Sequence, residues 1–380
     1  MFEKTREICD LCLKLGIPGF DLSVFKDGEE VFRYMNGYSD IENKIKMTGK
    51  EIYNIYSCSK PITCTAALQL YEKGLFSLED KLSDYMPEFT NMTVKTEDGV
   101  RPAKNPILIK HLFEMTAGFS YNIASENLNA CRKETDGRCP TREAMKYLAK
   151  DPLLFEPGER WEYSLCHDVL AAFIEVVSGE KFEEYVRKNI FEPLSMNDST
   201  FMLPESKLET LAQQYYYENN KPNAFGRSIM GYKIGSEYAS GGAGGISTVN
   251  DYIKFLEGLR KGLLIKPETL KLMSTHRLSP EQNETYWTKE THGYGLGVRC
   301  PKEEGGIYGD IGWGGAAGAF LAVDLENAIS LYFGMHMTGS PAQGIRSLLY
   351  RLVRAELLDN QDFDNIKTEI KNLYDYNLTY

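Results

Sequence analysis

The two ends of the chain and its middle differ in their patterns of apolar and polar residues. Residues 3–15 repeat apolar side chains at helical spacing, and residues 19–34 alternate as two strands around the turn Asp27-Gly28. Near the other terminus, the pattern predicts strands over 306–313, 317–324 and 328–336, followed by a helix at about 341–357. Both ends of the chain are therefore predicted to contribute strands.

The middle of the chain is predicted to be mostly helical, with long polar connections. Helical repeats cover residues 107–115, 142–149, 168–178, 181–189 and 249–260. Two irregular segments, 119–141 and 213–245, have no clear repeat, and connections of that length are usually functional or mobile. Strands at both ends with helices between them predict an α+β fold, in which one antiparallel sheet is assembled from both termini.

These patterns predict two lobes and a tail. Residues 1–56 and 286–357 form an α/β lobe that contains the antiparallel sheet, and residues 57–285 form an inserted, mostly helical lobe. A chain of 380 residues exceeds the usual size of one domain, which agrees with a two-lobed body. Residues 358–380 have little apolar density and are expected to be a loosely held tail.

The charge balance excludes some classes of partner. The chain has 43 Lys and Arg against 54 Asp and Glu, which gives a formal charge of −11. Because nucleic acids and anionic membranes repel such a surface, neither is an expected partner. Charges interrupt the first residues, so no secretory signal is recognised, and no apolar run reaches the length of a membrane span. We therefore expect a cytoplasmic protein.

Neither the cysteines nor the histidines suggest a metal site. The eight cysteines are expected to be reduced thiols in a cytosolic chain. Cys9 and Cys12 form a single CxxC on an apolar helical face, and no second pair completes a zinc site. The sequence leaves open whether Cys131 and Cys139 pair under oxidation. The five histidines show no metal-binding spacing, so no metal and no cofactor are expected.

Three SxxK patterns occur in the chain, and their context separates them. Ser23 and Lys26 lie on a strand, where positions three apart point to opposite faces. Ser178 and Lys181 straddle the end of a helix at Gly179 and so belong to different elements. No GxSxG, HExxH or GxGxxG pattern is present, which argues against an α/β-hydrolase, a zinc peptidase and a dinucleotide enzyme.

Ser57 and Lys60 are different, because the apolar stretch 52–56 leads directly into a helix that starts there. Their side chains then lie one turn apart on the same helical face. The helix start also offers free N–H groups to an oxyanion. A serine hydroxyl needs a base to become a nucleophile, and a buried lysine amine can be that base. These four residues alone also fit a helix-capping serine beside a solvated lysine.

The order of several short segments resembles the class C β-lactamase-like serine hydrolases. This family includes β-lactamases, penicillin-binding proteins, D-alanyl-D-alanine carboxypeptidases, D-aminopeptidases and family VIII carboxylesterases. The matching segments are 57–60 (SCSK), 107–118 (ILIKHLFEMTAG), 155–158 (FEPG), 161–164 (WEYS), 190–196 (IFEPLSM), 241–248 (GGAGGIST), 294–297 (YGLG) and 312–315 (GWGG). Because many segments in order are more specific than any one of them, the resemblance implies a β-lactamase/transpeptidase-like fold.

The family's second motif, Tyr-x-Asn, is matched here only by its tyrosine. The resemblance implies that Tyr163 lies beside Ser57 and Lys60 and shares their proton. A packing role in the core is the alternative for this tyrosine. Leu165 takes the place of the asparagine that donates to the substrate amide, and a leucine cannot donate, which argues against β-lactam recognition.

The family's third motif is usually Lys-Thr-Gly or His-x-Gly, and Trp313-Gly314-Gly315 takes its place here. Trp-Gly-Gly resembles the esterase-like branch, in which the two glycines let the backbone approach a substrate closely. By resemblance, the backbone N–H groups of Ser57 and Ala316 would form the oxyanion hole. The alternative is a glycine-rich strand pair with a core tryptophan.

The resemblance implies a serine hydrolase that acts on small esters or amides through an acyl-enzyme. A β-lactamase or D-Ala peptidase, acting on a lactam or peptide, is the alternative within the family, since it passes through the same intermediate. A non-catalytic binding protein with the same fold is the alternative outside enzymes. The irregular segments would set specificity, and their tyrosines 215–217, Tyr232 and Tyr238, with Trp287, either line an acyl pocket or form an ordinary aromatic cluster.

Overall fold

The computed structural model describes residues 1–228, 233–358 and 362–374. Its strands are β1 Gly19–Lys26, β2 Glu29–Asp40, β3 Ile45–Lys46, β4 Tyr53–Asn54, β5 Thr93–Thr96, β6 Gly99–Pro102, β7 Gln214–Glu218, β8 Lys221–Gly226, β9 Ile246–Ser247, β10 Gly293–Tyr294, β11 Arg299–Cys300, β12 Asp310–Gly314, β13 Phe320–Asp324, β14 Ile329–Met335 and β15 Met337–Thr338. Its α-helices are α1 Glu3–Lys14, α2 Ser59–Glu72, α3 Leu82–Tyr85, α4 Ile109–Phe113, α5 Glu126–Glu134, α6 Thr141–Leu148, α7 Cys166–Ser178, α8 Phe182–Val186, α9 Val249–Arg260, α10 Pro267–Met273, α11 Pro280–Asn283, α12 Gln343–Arg346, α13 Leu349–Leu358 and α14 Phe363–Tyr374. The predicted α+β fold is confirmed.

One eight-stranded antiparallel sheet joins the two ends of the chain. Its strand order is β10-β11-β12-β13-β14-β1-β2-β3, so β1 from the amino-terminal end lies beside β14 from the carboxyl-terminal end. In this central pairing Phe20 lies opposite Met335 and Leu22 lies opposite Phe333. The prediction of a single antiparallel sheet assembled from both termini is therefore confirmed.

Helices cover both faces of this sheet. On one face, Phe20 of β1 packs in a buried apolar cluster with Leu11 of α1 and Val353 of α13. On the other face, Tyr332 of β14 stacks on Tyr252 of α9 with 4.2 Å between ring centroids. Because successive side chains of a strand point to opposite faces, covering both faces buries β13 and β14 along their whole length.

The carboxyl-terminal helix α14 differs from its prediction. The expected loosely held tail is wrong for residues 363–374, because Ile366 and Ile370 of this helix are fully buried. Arg351 of α13 also forms ion pairs with Asp362 at 2.7 Å and with Glu369 at 2.6 Å. A segment of low apolar density can still dock when its few apolar residues recur one turn apart on one face.

The irregular segment 119–141 also contains a helix, α5. The Ser125 hydroxyl caps it by accepting a hydrogen bond from the Leu128 N–H at 3.2 Å. Its apolar contacts are few, since Leu128 and Cys131 are its buried residues, and a helix with so narrow an apolar stripe gives a weak periodic signal. The loop predicted over this whole segment is therefore shorter than expected.

Helices α2 and α7 pack against each other in the centre of the helical part of the chain, and α2 also contacts β12 of the sheet. This contact brings the start of α2 close to the end of β12, where residues 313–315 lie. The division of the chain into two lobes stays a prediction. No helix in the described ranges combines the length and the apolar character that crossing a membrane requires.

Candidate active site

The chain enters α2 through a tight turn that carries Ser57. Only two residues of the predicted strand form one, β4, because Tyr56–Cys58 already turn as a 3-10 helix. Tyr56 has a left-handed φ of 49°, and its hydroxyl donates to Gln214 Oε1 at 2.7 Å. This tertiary contact holds a backbone conformation that a tyrosine rarely adopts, and it leaves Ser57 at the start of α2.

Lys60 lies one turn further along and is fully buried. Its Nζ donates to the Ser57 Oγ at 3.3 Å and to the Gly242 carbonyl oxygen at 2.6 Å. The alternative of a solvated lysine is therefore wrong, and no side chain caps either helix start at this turn. The predicted pairing of Ser57 with Lys60 on one helical face is what the structure contains.

Tyr163 completes a three-residue contact around the Ser57 hydroxyl. Its hydroxyl and the Ser57 Oγ share a short hydrogen bond, and its ring lies 4.4 Å from the Lys60 Nζ. The ring also stacks on Tyr121 with 5.2 Å between centroids. Leu165, two residues further on, is buried in the apolar core. The structure therefore brings the phenol to Ser57 and supplies no amide donor from position 165.

The third-motif segment turns back sharply after β12. The Gly315 N–H donates to the Ala319 carbonyl oxygen at 2.7 Å, and the Gly318 N–H donates to the Gly315 carbonyl oxygen at 3.0 Å. A Cβ at Gly315 would lie 2.6 Å from the carbonyl oxygen of Ile55, so a glycine is needed for this close approach. The turn consequently brings Ala316 to the same cavity as Ser57.

A cavity of about 630 Å³ opens beside Ser57. Near Ser57, the wall of this cavity consists of Tyr163, Trp313, Gly314, Gly315 and Ala316. Aromatic side chains form much of the remaining wall, namely Tyr56, Tyr121, Tyr286, Trp287, Tyr308, Phe320 and Tyr350. Apart from Lys60, which is buried next to Ser57, every predicted site residue thus faces one common space.

The predicted aromatic pocket is correct for Trp287 alone among the residues that the structure describes. Trp287 is 64% exposed and lies 4.8 Å from Tyr163 between ring centroids. Tyr238 instead donates to Asp168 in the core, and Tyr215 donates to Glu42. Tyr232 lies outside the described residues. Sequence reasoning missed Tyr121, whose only signal is its place in the irregular segment 119–141.

Asp168 is a second residue that sequence reasoning missed. It lies in the first turn of α7 and is fully buried, and its Oδ1 accepts hydrogen bonds from Tyr238 at 2.7 Å and from Ser240 at 2.6 Å. Burial raises the pKa of this carboxyl above its usual value, and the two hydroxyl donors and the Lys60 ammonium offset only part of that rise. The sequence does contain one signal for this residue, because an acidic side chain within the mostly apolar segment 166–174 is expected to be buried.

A buried ion network lies under the far side of the cavity. Arg299 contacts Asp310 through a short ion pair, and the His292 Nε2 lies 3.3 Å from the other carboxylate oxygen. Although burial opposes ionisation of Asp310, Arg299 and His292 hold its pKa at about 2. These groups are fully paired with one another and therefore support the wall rather than offer a reactive group.

The remaining histidines and the cysteines have packing roles. Burial lowers the pKa of His111 to about 4 and that of His167 to about 3, so both are neutral near pH 7. All eight cysteines, Cys131 and Cys139 included, are free and buried. Within the described ranges, no group of three or more His, Cys, Asp or Glu side chains is arranged to hold a metal ion.

The chain is similar over most of its length to proteins with this architecture. A family model described as beta-lactamase matches residues 5–356. Lovastatin esterase of Penicillium rubens is 29% identical over 314 residues, which cover 73% of this chain and 77% of that protein. Esterase EstB of Burkholderia gladioli is 27% identical over 340 residues, which cover 81% of this chain and 83% of that protein.

A solved structure agrees with these relatives. The structure of EstCE1, described as a hydrolase with promiscuous acyltransferase activity, is 26% identical to this chain and superposes with a TM-score of 0.75. It covers 92% of this chain and 97% of its own. Because the family model spans nearly all of the sequence, the protein belongs to the β-lactamase family and is an enzyme of the serine hydrolase type.

Proposed function

We propose that the protein hydrolyses small esters or amides through an acyl-enzyme on Ser57. One observation carries this proposal: the Ser57 Oγ is contacted by both the Lys60 Nζ at 3.3 Å and the Tyr163 hydroxyl. A serine hydroxyl attacks a carbonyl only when a nearby base takes its proton, and both neighbours can exchange a proton with it.

In the proposed first step, the Ser57 Oγ bonds to the substrate carbonyl carbon while its proton passes to the Lys60 amine. Tyr163 then carries a proton to the leaving alcohol or amine, and the acyl group stays on Ser57. Water then attacks the acyl carbon while its proton passes to the Lys60 amine, and Tyr163 relays that proton to the Ser57 Oγ as the acyl bond breaks, which releases the acid and restores the hydroxyl. No metal or cofactor takes part in these steps.

The negative oxygen of the tetrahedral intermediate needs fixed donors. We assign this role to the backbone N–H groups of Ser57 and Ala316, which border the same cavity. In support, no acceptor among the described residues is hydrogen-bonded to the Ala316 N–H, so this donor is free for a substrate oxygen. One such donor typically contributes about 3 kcal/mol to transition-state stabilisation.

Two positions favour a simple ester over a β-lactam. Trp313 stands where related enzymes have a cation for the substrate carboxylate, and it contributes an apolar face to the cavity. Leu165 is buried in the core and supplies no donor to a substrate amide. The relatives named as esterases agree with this choice.

A β-lactam or D-alanyl peptide is the second candidate substrate, and one observation favours it. Arg346 lines the cavity and donates to the Gly315 carbonyl oxygen at 2.6 Å, and it forms no ion pair with a described carboxylate. A guanidinium in this place can bind a substrate carboxylate. Faster turnover of nitrocefin than of a short p-nitrophenyl ester would make this candidate the correct one.

Covalent labelling with a fluorophosphonate probe tests the proposal. The wild-type protein should be labelled and Ser57→Ala should not, while Ser178→Ala, which alters another SxxK serine, should be labelled like the wild type. The wild-type protein and Ser178→Ala should also hydrolyse p-nitrophenyl acetate, and Ser57→Ala should not. A folded wild-type protein that is neither labelled nor active would contradict the proposal and favour a non-catalytic binding protein.

A further inference from the structure

The carboxyl group of Asp168 and the amine of Lys60 both lie beside Gly242. A Cβ at position 242 would lie 2.5 Å from the Asp168 Oδ2 and 3.5 Å from the Lys60 Nζ. Asp168 and Lys60 are both fully buried. Because water does not screen charges in such a place, two opposite charges at this separation interact strongly.

Asp168 also fixes the segment that carries the Gly242 carbonyl. The Ser240 hydroxyl donates a hydrogen bond to the Asp168 Oδ1 at 2.6 Å, and it accepts one from the Ala243 N–H at 3.0 Å. The Gly244 N–H closes the same turn by donating to the Ser240 carbonyl oxygen at 2.8 Å. This turn contains the Gly242 carbonyl oxygen, which accepts from the Lys60 Nζ at 2.6 Å. Asp168 is thus linked to the amine through one well-ordered turn.

The other titratable groups that face Lys60 are thiols, one imidazole and phenols. Burial raises the pKa of Cys58 to about 12, that of Cys166 to about 11 and that of Cys64 still further. Burial lowers the pKa of His167 to about 3. The remaining neighbours are phenols, namely Tyr121 and Tyr163 over Lys60 and Tyr238 on Asp168. Asp168 is therefore the acidic side chain of this set.

We propose that Asp168 is the positioning residue of Lys60, which it serves both through the Ser240 turn and as a buried counter-charge. The inference rests on the proposed function. When the Ser57 proton moves to the Lys60 amine, a buried ammonium forms. The Asp168 carboxylate stabilises that ammonium, while the Gly242 carbonyl keeps its Nζ directed at the Ser57 Oγ. Asp168 itself neither gains nor loses a proton in the step.

The test is the pH profile of kcat and kcat/KM for Asp168→Asn with p-nitrophenyl acetate. Removing the negative charge makes the Lys60 ammonium less stable, so the acid limb of kcat/KM should move down by about one pH unit. The value of kcat should fall about 10- to 100-fold with little change in KM, because the loss is confined to the proton transfer. Wild-type kcat and an unmoved acid limb in folded Asp168→Asn would overturn the proposal.

Two further variants separate charge from position. Ser240→Ala keeps the carboxylate but removes its link to the turn, so kcat should fall while the acid limb stays in place. Asp251→Asn is the control, since Asp251 is also buried and accepts from the Ser199 hydroxyl at 3.1 Å. It should leave both profiles unchanged. If Ser240→Ala matched the wild type in kcat, the positioning role would be refuted.

The outcomes also distinguish this inference from the proposed function. If Ser57 is not the nucleophile, the wild-type protein itself shows no Ser57-dependent turnover and the proposed function fails. If Ser57-dependent turnover is present and Asp168→Asn leaves it unchanged at every pH, only the inference about Asp168 fails.

Discussion

Two buried cations lie near the same cavity and are treated differently by the fold. Arg299 on β11 forms a short ion pair with Asp310 and donates to the Leu321 carbonyl oxygen at 2.9 Å. Lys60 on α2 contacts a carbonyl oxygen and the Ser57 hydroxyl, and it has no described carboxylate within ion-pair distance. Arg299 is thus paired directly with a carboxylate, whereas Lys60 is linked to the Asp168 carboxyl group only through the turn that contains Gly242.

The difference teaches how a buried charge reveals its role. A contact ion pair fixes the charged form, because separating the partners leaves an unpaired charge in a medium that solvates it poorly. An amine held beside neutral acceptors can exchange a proton at much lower cost, which suits a general base. Charge pairing therefore distinguishes Arg299, which is held in a contact ion pair, from Lys60, the proposed proton acceptor, although both are buried.

The largest expected effect comes from Lys60→Met, which keeps the side-chain length and removes the amine. We expect kcat/KM for p-nitrophenyl acetate to fall by about 10⁴-fold, because Ser57 loses its proton acceptor. The free energy of unfolding should fall by less than it does when Arg299 loses its guanidinium, since no contact ion pair is broken. Urea unfolding alongside the kinetic assay checks both. A loss of stability as large as that expected for Arg299 would indicate that Lys60 has a structural role like that of Arg299.

Arg299→Met should have the opposite profile. It leaves Asp310 buried without its guanidinium, so the free energy of unfolding should fall by about 3–5 kcal/mol. The matched control is Arg187→Met, since the Arg187 side chain is 46% exposed and paired with exposed acids. That control should change stability by less than about 1 kcal/mol. Urea denaturation at pH 7 compares the three proteins, and equal stability of the two variants would contradict the assignment.

A smaller effect on the free energy of unfolding is expected when the pH is lowered. The pKa of Asp310 is held at about 2, below its unfolded value of about 4. Its contribution of about 2 kcal/mol is therefore fully present above pH 4 and is lost as the pH falls toward 2. Unfolding free energies measured between pH 5 and pH 2 should decline less steeply in Arg299→Met than in the wild type. Arg187→Met should keep the wild-type slope, and a common slope in all three would exclude this role for Asp310.

Local patterns predicted much of the fold and part of the site. Apolar runs at both chain ends predict the central sheet, because a strand buried between helices must present apolar residues to both sides. The Ser57–Lys60 spacing predicts one helical face, which is a local property of an α-helix. Tyr163 and residues 313–316 were found through resemblance, since nothing local relates them to Ser57.

The rest could not be read locally because it depends on tertiary contacts. The strand predicted before Ser57 is shortened by the left-handed Tyr56, whose conformation is held by Gln214 from a distant part of the chain. The counter-charge at Asp168 depends on Ser240, which is separated from it by 72 positions. Helix α14 docks through two isoleucines that a composition average does not register.

The neighbouring positions of β1 and β14 have a consequence for how the chain acquires its shape. During synthesis β1, which starts at Gly19, emerges long before its partner strand β14, which starts at Ile329. The sheet can close only after the whole stretch between these two strands is available, so its central pairing joins residues far apart in sequence and should form slowly. In the meantime the inner edge of β1 is exposed, so chaperones that shield unpaired strands should increase the yield of native protein.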